Sequence, residues 1–304
     1  MKKVVTHNGR FHADDLFAIA TLSLVFDGDI EIIRTRDEAE INSGDIVVDV
    51  GDQYDVSKGR FDHHQKLDPE FGVRSNGIPY AAFGLVWKHF GKELCSSDEV
   101  WQMVEEKIVQ PLDAGDNGVS TFQLTDYGVS PYLMHDFLYS LQPLWNEEGG
   151  YDEAFMDALE IAKKVISREI ERAKAFVIAK KDILNIYESS DDKNIILIDE
   201  KYPYEDEDVL SVLAQFEEPK FIVLKTKNND TWKVKALRKG NDRGNTFQSR
   251  IDLPKEWGGL REWELQKISG ISDAEFCHRK LFMCVAKTKE SALKMAQIAL
   301  DQNN

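Results

Sequence analysis

Short β-branched runs alternate with longer stretches of helical spacing through the first half of the chain, and this alternation limits the fold more than any other feature. "KKVVT", "IEIIRTR" and "DIVVDV" are too short for helices and end in loops. By contrast "DDLFAIATLSLVF", "PYAAFGLVWKHFG" and "SDEVWQMVEEKIVQ" carry apolar residues at steps of three and four. Strand and helix taken in turn predict an α/β fold, a parallel sheet covered by helices. Ligands of such sheets gather at the carboxyl ends of the strands.

After residue 150 the pattern changes. Phe155, Leu159, Ala162, Ile166, Ile170, Ala173 and Val177 recur with helical periodicity, with Lys and Glu between them, and predict one long amphipathic helix over 151–188. Beyond the polar break "ESSDDKN" stand the strand candidates "NIILIDE", "KFIVLKT", "WKVKALR" and "LFMCVAK", then a final helix from Lys289. The organisation expected is a catalytic domain over 1–150, a connector helix over 151–188, and a smaller α+β domain over 189–304. The acidic "YEDEDV" reads as a solvated helix start.

The formal net charge of -16 argues against a grip on long nucleic acid, which needs a basic footprint. Phosphate recognition in such a chain has to be local or metal-assisted. "LFAIATLSLVF" is the longest apolar run and falls short of the ~20 residues that span a bilayer, so no membrane anchor is expected. Cys95, Cys277 and Cys284 match no zinc spacing and predict reduced thiols in a cytoplasm. The first motif begins at once, with no room for a transit peptide, which agrees with that location.

Four clusters carry chemistry. "THNGRFHADD" places His7, His12 and Asp14 between a strand ending near Thr6 and the next helix. "DIVVDVG" puts Asp49 at the end of a strand that should be buried, where a carboxylate is costly unless paired or bound to a cation. "GRFDHHQ" supplies Asp62, His63 and His64; adjacent histidines point different ways, so one can face a metal and the other a substrate. Asp62 can orient an imidazole. "PLDAGDNG" sets Asp113 and Asp116 three residues apart, on one face of a helix end. Singly, each also reads as a polar loop, a hydrogen-bonded strand end or a helix terminus. Together they offer oxygen and imidazole donors without thiolates, a mix suited to Mn²⁺ or Mg²⁺.

In this order the motifs resemble the DHH phosphoesterase superfamily, which includes RecJ-type exonucleases and manganese-dependent pyrophosphatases. With "SRIDLPKEWGGLR" and "FCHRKLFMCVAKTKESALKMA" added, the chain is similar from about residue 4 to 300 to the family of the melanocyte proliferating gene product. The resemblance implies two divalent cations, Mn²⁺ before Mg²⁺. His7, His12 and Asp14 would be first-motif ligands, Asp49 a bridging ligand, His63 a ligand, and Asp116, with Asp113 as the alternative, the fourth-motif ligand. His64 would face the scissile phosphate. The second domain would bind substrate through Arg250, Gly258, Gly259, Arg261 and His278.

Trp232 to Trp257 holds seven basic and three acidic residues, a local positive excess that suits a phosphate backbone. "SDAE" predicts a capping box and a short helix that carries His278. Cys277 is read as buried filler, His89 and His135 as structural. The expected activity is two-metal phosphodiester hydrolysis, a 3′-5′ exonuclease acting on RNA or short oligonucleotides. The alternatives are hydrolysis of pyrophosphate or a nucleotide, and a non-catalytic RNA-binding protein. A homo-oligomer stays open.

Overall fold

The computed structural model describes residues 1–65, 72–124, 127–199, 201, 203–227, 229–240 and 248–303. Contacts divide the chain into two compact units, Met1–Ala175 and Phe176–Asn304. The division falls inside the long helix rather than at either of its ends.

The first unit is built on a five-stranded sheet of order β2-β1-β3-β5-β4, made of β1 (Lys2–Thr6), β2 (Ile30–Arg34), β3 (Ile46–Val48), β4 (Tyr54–Asp55) and β5 (Arg60–Phe61). The first four in that order run parallel, and β4 pairs antiparallel at the edge. Val4, Val5, Val47 and Val48 are fully buried, as a parallel sheet covered on both faces requires. Helix α1 (Ala13–Val25) packs on α3 (Ala82–Leu94) through Phe17 and Phe83, whose rings lie 5.5 Å apart; α2 (Glu38–Asn42) is capped by Asp37.

Helix α1 starts where it does because Asp15 Oδ1 accepts from the backbone N–H groups of His12 and Leu16, at 2.8 and 2.7 Å. Helix α4 (Asp98–Val104), capped by Ser97, passes through a π-helical turn (Glu105–Val109) into α5 (Gln110–Asp116). Helices α6 (Met134–Tyr139) and α7 (Tyr151–Ser189) follow. On α7 the buried stripe runs from Phe155 to Ala173 in the first unit and resumes at Ala179, Ile183 and Tyr187 in the second. Val177, expected in the stripe, is only half-buried.

The second unit holds a sheet of order β6-β7-β8-β10-β9, from β6 (Ile195–Ile198), β7 (Phe221–Lys225), β8 (Trp232–Ala236), β9 (Ala274–Cys277) and β10 (Met283–Ala286). Only β6 and β7 are parallel. Alternation is clean: Phe221 and Val223 enter a core with Met295, Ala296 and Ala299 of α10 (Lys289–Asp301). Ile222 and Leu224 enter another with Ala179 and Ile183 of α7 and Val209 and Leu213 of α8 (Asp206–Leu213). Helix α9 (Glu262–Ser269) precedes β9.

The helix expected at "SDAE" is strand β9. Cys277 pairs with Cys284 and Phe276 with Val285, so the open edge of β10 claims the segment. Asp273 is spent on Thr288, accepting from its N–H at 2.9 Å and its hydroxyl at 2.8 Å, and caps no helix of its own.

Candidate metal centre

Three neighbouring parallel strands end together. Val5 pairs with Val47 and Val48 with Phe61, so the next residues, His7, Asp49 and Asp62, emerge side by side at the carboxyl end of the sheet. Asp49 adopts φ 56°, a left-handed conformation that aspartate tolerates better than most residues, and the chain turns at once through Gly51. His12 and Asp14 arrive from the start of α1, Asp116 from the last turn of α5.

These side chains converge. His7 Nε2 lies 3.3 Å from Asp49 Oδ2 and 3.3 Å from Asp15 Oδ2. His63 Nε2 lies 3.4 Å from Asp49 Oδ1, 3.5 Å from Asp14 Oδ2 and 3.3 Å from Asp116 Oδ2. Donor atoms within 4.8 Å of one another form three overlapping groups: His7, His12 and Asp49; Asp49, His63 and His64; His12, Asp14 and Asp116. The two carboxylate oxygens of Asp49 thus face different histidines.

Six buried atoms in this one place have no hydrogen-bond partner: His7 Nε2, Asp14 Oδ1, Asp15 Oδ2, His63 Nε2 and both oxygens of Asp49. Buried polar atoms are ordinarily satisfied, and a cluster of six aimed at a common point is what divalent cations would satisfy. The donors are oxygens and imidazole nitrogens, which fit Mn²⁺ or Mg²⁺.

The electrostatics follow from the crowding. Burial opposes charge on His7, yet Asp49 and Asp15 lift its pKa to about 9; burial likewise opposes His63, which Asp14 and Asp49 lift to about 11. Burial raises Asp15 to about 8 against the pull of His7, and burial with Asp14 beside it raises Asp116 to about 8. Burial disfavours charge on Asp49 as well, but His63 and His7 hold its carboxyl below the usual range. A site that keeps protons among its carboxylates and imidazoles is one that exchanges them for a cation.

His64 stands apart. Its side chain is 56% exposed, and Nδ1 meets Asp62 Oδ1 at 2.7 Å. Asp62 also accepts from the N–H of Asp52 at 2.7 Å and is buried. The imidazole is thereby oriented, with Nε2 left outward.

Asp113 does not join the centre. Its Oδ2 takes Arg74 Nη2 at 2.7 Å and its Oδ1 takes the N–H of Gly84 at 3.0 Å. Three helical residues amount to a rotation of about 60° short of a full turn, enough to send Asp113 and Asp116 to different neighbours. Arg74 also pairs with Glu105 in the π-turn at 2.5 Å.

Spacing missed Asp15, although a carboxylate doublet at a helix start is a visible signal. It also missed His135 and Gln142, which with Phe11, Leu138 and Tyr139 line a cavity of about 200 Å³ against His12, Gly115 and Asp116. His135, expected to be structural, has Nε2 buried and unpartnered. His89 is a packing residue: its Nε2 meets the hydroxyl of Tyr54 at 2.9 Å.

In the second unit Arg250 is not poised for phosphate. Its guanidinium donates to the carbonyls of Phe216, Pro219 and Ala214 at 2.5, 2.9 and 2.8 Å, tying down the chain after α8. The basic excess around it is also answered, since Asp206 meets Lys233 and Lys235, at 3.1 and 2.9 Å, and Glu207 meets Lys235 at 2.5 Å. The acids of "YEDEDV" therefore start α8 and pair across to β8 rather than facing only solvent. Arg243 and its neighbours up to Phe247 lie outside the described residues.

The other candidates gather around β9. Gly259, at φ 82°, donates its N–H to the Cys277 carbonyl at 3.0 Å. Arg261 covers the Phe276 ring at 4.5 Å, and the His278 ring packs on Phe282 at 4.4 Å. A side chain at Gly258 would press on Leu281. Cys277 is fully buried, as filler should be.

Comparison with known proteins agrees with the whole length of the chain. It is 30% identical over 335 residues to the human protein named MYG1 exonuclease, covering 99% of this chain and 86% of that one. It is 32% identical to the MYG1 protein of Caenorhabditis elegans, covering 97% and 94%. Among solved structures, the pGpG-specific phosphodiesterase PggH of Vibrio cholerae aligns over 99% of this chain and 98% of its own at 13% identity. Its TM-score of 0.30 is too low to bear on the fold. The family described as MYG1_exonuc, uncharacterised protein family UPF0160, matches residues 3–300. This chain belongs to that family.

Proposed function

We propose that the protein is a metal-dependent phosphodiester hydrolase, working as a 3′-5′ exonuclease on RNA or short oligonucleotides. The convergence of His7, His12, Asp14, Asp49, His63 and Asp116, with six buried donor atoms left unpartnered, carries the reading. The relatives named exonucleases share the full length of the chain. His7, His12 and Asp49 would hold one cation and Asp14, Asp49, His63 and Asp116 a second, Mn²⁺ before Mg²⁺. When bound, such ions acidify a water and neutralise charge on a phosphate.

The protein's own groups supply the rest. Asp49 sits between the two histidine sets and keeps them at a fixed separation. Asp15 fixes the start of α1, and so His12 and Asp14, while its second oxygen steadies His7. Asp62 holds His64 by Nδ1, and His64 Nε2 donates a hydrogen bond or a proton to the substrate oxygens. Gly258, Gly259, Arg261 and His278 form the contact surface of the second unit. Three free cysteines accord with a reducing, cytoplasmic setting.

Incubation with Mn²⁺ and end-labelled RNA, DNA or pyrophosphate tests the proposal. Stepwise shortening of an oligonucleotide from its 3′ end is expected. Release of phosphate from pyrophosphate alone would replace the nuclease reading with a small-molecule hydrolase, and no turnover of any substrate would end both.

A further inference from the structure

The cavity beside His12 and Asp116 belongs to none of the sequence motifs, yet it has the features of a built subsite. Gln142 is 8% exposed; its Nε2 donates to the Phe11 carbonyl at 2.6 Å, which fixes the amide and leaves Oε1 buried without a partner. His135 lies flat on Gly115, where a Cβ would come within 2.3 Å of its Cε1. The Leu112 carbonyl takes a hydrogen bond from the ring, and Nε2 has no partner. Nδ1 therefore carries the proton, and Nε2 offers a lone pair.

Two buried acceptors thus line one small cavity, and a group with donors has to reach them from it. The space of about 200 Å³ equals on the order of six or seven waters at about 30 Å³ each, the size of a sugar ring. Phe11 and Leu138 supply apolar wall for ring carbons, and Tyr139, half exposed, offers an aromatic face for an attached base. A phosphodiester held by the adjoining metal ligands carries a sugar on each side.

Resting on the hydrolase reading above, we propose that this cavity takes the terminal ribose of the substrate. His135 Nε2 and Gln142 Oε1 accept hydrogen bonds from its vicinal hydroxyls and select ribo- over 2′-deoxyribonucleotides. A sugar lacking the 2′-hydroxyl leaves one acceptor buried and unsatisfied.

Calorimetric titration of the full chain with adenosine 5′-monophosphate and its 2′-deoxy counterpart, both with Mn²⁺, reads this without turnover. The ribonucleotide should bind about tenfold more tightly, the size of one lost hydrogen bond with a buried partner. Gln142→Leu and His135→Phe, confirmed folded by their melting curves, should each narrow that ratio below about threefold, mainly by weakening the ribonucleotide. Equal affinities in the unsubstituted protein, no binding of either nucleotide, or a ratio that survives both substitutions would each overturn the subsite. Cleavage of labelled RNA measured on the same preparation separates that failure from failure of the hydrolase reading, because a working nuclease with equal affinities loses only the sugar-binding role.

Discussion

His64 Nδ1 rests 2.7 Å from Asp62 Oδ1, and the same carboxylate accepts the backbone N–H of Asp52 through its other oxygen at 2.7 Å. The imidazole is held by a group that is itself held. Replacing Asp62→Asn removes the acceptor that pins the proton on Nδ1. Partners of this kind are worth roughly 10–100-fold, so kcat on an RNA oligonucleotide should fall by about that factor while Mn²⁺ affinity changes little. An unchanged kcat would remove Asp62 from the positioning of His64.

Asp49 combines a bridging position with φ 56°, so the choice of substitution matters. Asparagine tolerates the left-handed region and alanine does not, a difference of about 1 kcal/mol in the fold. Asp49→Asn should therefore stay folded yet lose measurable hydrolysis and at least tenfold in Mn²⁺ affinity by calorimetry. Turnover restored by excess manganese would refute the bridging role.

Arg74 is the counter-charge for two buried carboxylates, Asp113 and Glu105. Burial pushes Asp113 up to about 7 even with Arg74 against it, and raises Glu105 as well. Arg74→Met should cost roughly 3–5 kcal/mol, as breaking a buried pair generally does. Raised carboxyl pKa values favour the fold at low pH and cost stability as pH climbs from the unfolded value through the folded one. The loss in the variant should therefore deepen between about pH 4 and pH 7. Urea denaturation at both ends of that range measures it, and a constant difference would contradict this account of the triad.

Protons in the centre set a second pH dependence. His7 near 9 and His63 near 11 stabilise the fold fully below about 6.5, their ordinary value, and lose that contribution as pH rises through the raised ones. Asp15 and Asp116, raised to about 8, cost stability as pH rises from the usual carboxylate range to that value. Both act in one direction, so with a chelator present Tm should fall between pH 6 and pH 9. Saturating Mn²⁺ should reverse the fall, by about 2.7 kcal/mol at a hundred times its Kd. A Tm that is flat across this window in chelator would show that the carboxylates and imidazoles are not in mutual contact.

Arg250 should behave as a tie rather than a substrate contact. Arg250→Ala loses hydrogen bonds from a charged donor to three carbonyls and should destabilise the protein by roughly 2 kcal/mol. The Michaelis constant for oligonucleotides should hardly change; a large rise with unaltered Tm would return Arg250 to the substrate surface.

What the sequence made legible was whatever a local pattern encodes. Strands β1, β3, β6, β7, β8 and β10 and helices α1, α3, α7 and α10 announce themselves by period and length, and the convergence of His7, Asp49, His63 and Asp116 follows once strand ends are located. Hidden from it was whatever a distant partner decides. Strand β9 looks like a capped helix until β10 offers an edge, and Asp113 looks like a ligand until Arg74 claims it. Arg250 looks like an anion site until the carbonyls after α8 are placed around it. His135 and Gln142 have no motif because their significance lies only in the space between them and Gly115.

The side-by-side emergence of His7, Asp49 and Asp62 makes the sheet itself a ruler. Neighbouring strands stand about 4.8 Å apart by the length of a peptide hydrogen bond, and side chains rooted at that pitch need lean only slightly to serve cations about 3.5–4 Å apart. Spacing written into the backbone is not easily altered by exchanging side chains, so drift in the surrounding loops can retune what is cleaved while leaving the distance between the charges unchanged.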